Sequence, residues 1–179
     1  MRTVDEPIDI VRFYQDLGFF VGVDPTKIVE WHTEDYGTPP DPLNPWDDVR
    51  LFGYTENDVW IGDPEADVCA ENKVYTKILP QLARVSGGAF APKQIEEHWV
   101  TDTGPIEVSF RLNNRRASVY PAYQDDWIDL SVLKRINQLI AISGKQFECA
   151  VGGNLLLVLC VTHEGKAMMR SRRRFPFAR

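Results

Sequence analysis

The densest group of chemistry-bearing side chains is Asp63, Glu65, Asp67 and Glu71, in the segment DPEADVCAEN. Alternating carboxylates resemble the first half of a calcium loop, where oxygen ligands take the first, third and fifth positions. The pattern then departs, because the glycine needed at the sixth position and the bidentate glutamate needed at the twelfth are Val68 and Val74. Two chemistries remain for these acids: a magnesium or manganese site completed by distant carboxylates, or an acidic contact surface with Trp60 as an aromatic anchor. A purely structural reading stands beside them. Carboxylates at the start of a helix complement its dipole, each by about 0.3–1 kcal/mol.

A second group, Asp125, Asp126 and Asp129 around Trp127 in YPAYQDDWIDL, places adjacent carboxylates on a loop just before a helix. Such a group holds a divalent ion, or works as an acid and base when its environment splits the two pKa values. The same letters also read as Asp129 capping a helix, with Trp127 plugging the core. The three histidines, His32, His98 and His163, form no HxH or HExxH pattern. Ser86 lacks the GxSxG elbow, and Cys69, Cys149 and Cys160 are dispersed without CxxC spacing. No nucleophile, catalytic residue or cofactor is therefore named. Arg170, Arg172, Arg173, Arg174 and Arg179, interleaved with Phe175 and Phe177, combine phosphate-pairing guanidinium groups with base-stacking rings, the elements of nucleic-acid binding. The alternative is a basic tail that clamps onto the acidic half of the chain.

That acidic half is real. The 179 residues carry a formal net charge of −6, but residues 1–109 hold 8 Lys+Arg against 21 Asp+Glu (8 − 21 = −13), and residues 110–179 hold 12 against 5 (12 − 5 = +7). The two halves either present opposed faces to partners or neutralise each other by packing. A 44% hydrophobic content suits one globular core and excludes wholesale disorder. The longest apolar run, Leu155 to Val161, is far below the roughly 20 residues of a membrane span. Acids at Asp5, Glu6 and Asp9 with no apolar core argue against a secretory leader, so the expectation is a cytoplasmic protein with no membrane partner.

The elements that must position these groups follow from spacing. Pro7–Leu17 predicts a first helix ending near Gly18, and Asp24-Pro25 starts a second over 25–34. Pro39, Pro40, Pro42 and Pro45 predict an irregular connector from Tyr36 to Asp48, pinned by Trp46. Val49–Tyr54 and Asp58–Ile61 predict a hairpin. Val74, Tyr75, Ile78, Leu79, Leu82 and Val85 form the stripe of a helix opened by DPEADVCAEN, closed by Gly87-Gly88, and kinked or broken at Pro80. Gln94–Thr101, Ile106–Leu112 and Ala117–Tyr120 predict a meander turning at Asn113-Asn114. Asp129 caps a helix striped by Leu130, Leu133, Ile136, Leu139 and Ile140. Phe147–Val151 and Leu155–Val161 form a second hairpin, its second strand buried on both faces, and Thr162 caps a last helix to about Arg170. Hairpin-joined strands with helices between groups predict a single α+β domain over 1–179, mostly antiparallel sheet with packed helices, and with a helical, proline-rich N-terminal region over 1–48. There is no GxGxxG, no GxxxxGK[ST] and no internal repeat.

The runs GAFAPKQIEEHW, TGPIEVSFRLN, YPAYQDDWIDLSVLKRINQLI and GNLLLVLCVT, within residues 85–165, resemble a group of bacterial proteins of unknown function. That resemblance implies no activity, cofactor or catalytic residue. In style the chain is also similar to immunity proteins, small acidic α+β inhibitors of bacterial toxins. The leading expectation is a non-enzymatic bacterial protein-binding module that offers Trp60, Asp63, Glu65, Asp67 and Glu71 to a basic partner. The alternatives are a divalent-metal hydrolase using Asp63, Glu65 and Asp67 or Asp125, Asp126 and Asp129, and a nucleic-acid accessory protein using the arginine tail.

Overall fold

The computed structural model describes residues 6–178; Asp5 and Arg179, named above, lie outside them. The described residues form an α+β fold of helices α1 (Pro7–Asp16), α2 (Pro25–Tyr36), α3 (Pro45–Leu51), α4 (Val74–Val85), α5 (Val132–Ile140) and α6 (His163–Arg173), with strands β1 (Val59–Gly62), β2 (Lys93–Trp99), β3 (Ile106–Leu112), β4 (Arg115–Val119), β5 (Lys145–Gly152) and β6 (Leu155–Thr162). The strands make two antiparallel sheets, ordered β1-β6-β5 and β2-β3-β4.

Strand β6 is central, and its side chains alternate between two cores. Leu156, Val158 and Cys160 join α4, α5 and the inner face of the meander. Leu157, Leu159 and Val161 join α1, α2, α3, Met169 of α6, Phe175 and Phe177. Burial on both faces is why the strand reads as an unbroken apolar run. The α4 stripe is buried as expected, and the meander turns through Asn113 and Asn114 at φ 51 and 63, conformations Asn tolerates.

Three local expectations are corrected. Residues 49–54 are not a strand: Asn44 Oδ1 accepts from the Trp46 amide at 3.1 Å, Pro45 occupies the first turn, and α3 runs to Leu51 before a 3₁₀ turn at Phe52–Tyr54. Strand β1 therefore pairs with β6, about 100 residues away in sequence, rather than closing a hairpin. Helix α4 runs unbroken through Pro80 and begins at Val74, with no acid in its first turn. Glu97 of β2 supplies the carboxylate instead, accepting from the Thr76 amide at 3.1 Å. Trp46 does pin α3 to the body, its ring lying where a Cβ on Gly152 would sit.

The basic end of the chain clamps the acidic end through one buried pair. Arg173, 5% exposed, donates from Nε to Asp48 Oδ2 at 2.8 Å, from Nη2 to Oδ1 at 2.5 Å and from Nη1 to the Pro42 carbonyl at 2.7 Å. Tyr14 Oη donates to Asp48 Oδ2 at 2.6 Å, so α1, α3 and α6 meet at one fully buried carboxylate, and Arg173 ties the proline-rich connector to it. Burial pushes the Asp48 carboxyl upward, opposed first by Arg173 and then by Tyr14, while the Tyr14 phenol stands well above its ordinary value from burial and the facing carboxylate. Replacing Arg173→Met strands a buried charge and is expected to cost about 3–5 kcal/mol in urea unfolding. The double replacement Asp48→Leu with Arg173→Met is expected to cost less than the sum of the two singles, the non-additivity that identifies a coupled pair.

Candidate functional site

The segment that follows β1 is an extended strap rather than the start of a helix. Pro64 and Val68 point inward and are buried, Ala66 is half-buried, and Asp63, Glu65 and Asp67 alternate with them on the outside. Asp63 Oδ1 accepts from the Glu65 amide at 2.9 Å and fixes the entry turn. At the exit, Asn72 Nδ2 donates to the Asp67 carbonyl at 2.9 Å and to its Oδ2 at 2.7 Å, with Asp67 at φ 49. The strap is held by pairing with the second acidic segment: the Ala66 amide donates to the Asp126 carbonyl and the Ile128 amide to the Pro64 carbonyl, both at 2.8 Å, bracketing an antiparallel bridge between Glu65 and Trp127.

This pairing brings the two acidic groups onto one surface. Asp63, Glu65, Asp67, Glu71, Asp125 and Asp126 are all exposed, and among the described residues none has an ion-pair partner. Trp127 is not a core plug; it is 45% exposed beside Glu65. The Tyr123 phenol registers the gathered charge: it is raised by desolvation first, then by Asp125 and Asp126, with Asp102 adding to them. Trp127 is the member of this face that the sequence reading left out of its partner-binding set. For Trp127 the available signal was its place between two exposed acids and a helix start, which the alternative core reading masked.

The remaining predicted residues fall elsewhere. Asp129 is 4% exposed and structural: its carboxylate accepts from the Ala122 amide at 2.8 Å, the Ser131 amide at 2.9 Å and Ser131 Oγ at 2.9 Å. Its own amide donates to Tyr75 Oη at 3.0 Å, and burial lifts that phenol to about 12. Ser131, not Asp129, stands at the α5 cap. With Asp129 so engaged, it is not left open to join Asp125 and Asp126 around an ion, and among the described residues no three His, Cys, Asp or Glu side chains are grouped to hold a metal. His98 and His163 are exposed on different elements, while buried His32 bonds the Thr38 carbonyl through Nδ1 at 3.0 Å. In the arginine-rich tail, Arg173 is committed to Asp48, and Phe175 and Phe177 are buried in the α1 core, so neither ring is open to stack a base.

Trp60 belongs to a different feature. Its ring lies against Gly62 and lines a groove of about 760 Å³ between the 3₁₀ turn, β1 and α4. It is a neighbour in sequence of the acidic strap, not a member of its exposed face.

The cysteines behave as small hydrophobes. Burial pushes the Cys160 thiol up to about 11, and the Cys149 thiol is raised by burial and then by Glu148. Both therefore stay protonated at pH 8, and iodoacetamide is expected to leave Cys160 unmodified by mass spectrometry in the folded protein, then to alkylate it once the chain is unfolded in urea. Alkylation of Cys160 at the same rate in both states would contradict its burial. No protein-family model, no curated protein and no solved structure matches the chain.

Proposed function

We infer that the chain is a non-enzymatic protein-binding module whose acidic face receives a basic partner, in the manner of an immunity-type inhibitor covering a toxin. The observation that carries this reading is the pairing of Glu65 with Trp127, which sets the strap acids beside Asp125 and Asp126 without a neutralising cation among the described residues. Held carboxylates of one sign steer a basic partner and reject acidic ones. A half-exposed tryptophan within such a surface is the residue type that anchors interfaces. The free thiols Cys69, Cys149 and Cys160 suit a reducing bacterial cytoplasm.

Charge and the aromatic ring have different roles in this reading. Reversing the strap, with Asp63→Lys, Glu65→Lys and Asp67→Lys together, is expected to abolish a partner captured at low salt and released at high salt, with circular dichroism reporting whether loss of the Asp63 and Asp67 turn bonds disturbs the fold. Trp127→Ala is expected to weaken the same complex by about 2 kcal/mol, or roughly 30-fold, with the salt dependence unchanged. A partner retained equally by wild type and by the reversed strap would overturn the electrostatic face.

A further inference from the structure

The groove beside β1 has a chemistry opposite to that of the acidic face. Strand β1 is an edge strand: β6 pairs with one side, and among the described residues no strand pairs with the other. The groove runs along that open side, with the 52–56 segment as one wall and α4 as the other. Arg84 Nη2 donates to the Val59 carbonyl at 3.3 Å, so the peptide groups of Val59 face outward. By antiparallel alternation those of Ile61, two residues on, face the same way.

Three observations converge on an extended ligand. First, the edge presents backbone donors and acceptors beside apolar surface from Trp60 and the 43% exposed Ile61. Second, the wall facing α4, formed by Gly53, Thr55 and Glu56, makes no main-chain hydrogen bond to β1 among the described residues, and the cleft of about 760 Å³ between it and α4 leaves room for an added strand. Third, Lys77, Gln81 and Arg84 follow one another at helical spacing along the α4 wall, so they share a face. Neither Lys77 nor Arg84 has a carboxylate partner among the described residues, and the opposite wall carries a single acid, Glu56.

We propose that this groove binds an extended acidic peptide segment of a partner protein, which adds as a strand to the open edge of β1 and places carboxylates against Lys77 and Arg84. The four residues of β1 accommodate a segment of about the same length, ~13 Å at a strand's rise. Seven residues of helix separate Lys77 from Arg84 by ~10 Å. Alternate strand residues, ~7 Å apart, point to the same face, so two acids spaced by one residue fall within reach of both long cationic side chains. On binding, Arg84 exchanges the Val59 carbonyl for a peptide carboxylate, freeing that carbonyl to accept from the added strand. The proposal is independent of the acidic face, because groove and face differ in residues and in sign.

The test is selection of a phage-displayed random hexapeptide library on the full chain, with Lys77→Glu plus Arg84→Glu and, separately, Ile61→Pro as comparison baits. Both variants alter exposed positions, and proline is tolerated at an edge position whose amide faces away from the neighbouring strand, so circular dichroism is expected to remain that of wild type. The expected result is enrichment of sequences with two acids spaced by one residue among β-branched residues. The affinity of the enriched peptides should fall at least tenfold on each variant, while the strap variant Asp63→Lys with Glu65→Lys retains it. Absence of such enrichment, enrichment of basic sequences, or equal recovery on the variant baits would overturn the proposal. So would a concentration-dependent dimer abolished by Ile61→Pro without peptide enrichment, which would assign the edge to a second copy of this chain.

Discussion

Burial of β6 on both faces is the constraint from which the rest of the arrangement follows. A strand that divides two cores must have covering layers on each side, and the chain supplies α1, α2, α3 and α6 on one and α4, α5 and the inner face of the meander on the other. Pairing with β6 then fixes β1 at the edge of its sheet. From that edge the chain leaves as the acidic strap, and against that edge α4 forms the wall of the groove. Both surfaces with recognisable chemistry thus depend on where one apolar strand lies.

The opposition of charge between the two halves of the chain is resolved locally, not globally. Asp48 and Arg173 meet in the interior and join the two halves, whereas the Glu148–Lys166 pair on the β5 and α6 side lies wholly within the second half. Charge-assisted bonds at a buried carboxylate specify geometry more than they add stability, since both ions were taken out of water. The strap acids do not join in this neutralisation. The strap acids and their neighbours Asp125 and Asp126 keep no ion-pair partner among the described residues, and the cations of α4 stand apart from them in the groove.

Much of the fold was legible because local signals were strong. Asp24-Pro25 and Thr162 are caps whose side chains accept from the Thr26 and Gly165 amides, and the α4 stripe needed only spacing. The two hairpins turned where Asn and Gly permitted. The connector was less legible, since proline marks the first turn of a helix as readily as it breaks one, and Pro45 did the former. Of the site, the two acidic groups were visible as residues, but their meeting was not. It rests on main-chain pairing between positions 65 and 127, which no pattern within either segment encodes. The displacement of the DPEADVCAEN acids from the helix start has the same origin: Glu97, remote in sequence, takes the dipole role that proximity had assigned to them.

The single acidic face is therefore a tertiary product, and amide NMR during titration with a lysine-rich peptide examines it most directly. The account predicts that resonances of the strap, 63–67, and of the loop, 125–127, shift together with one binding curve that weakens as salt rises. Shifts confined to one segment, or two curves of different affinity, would contradict a face built by pairing the two.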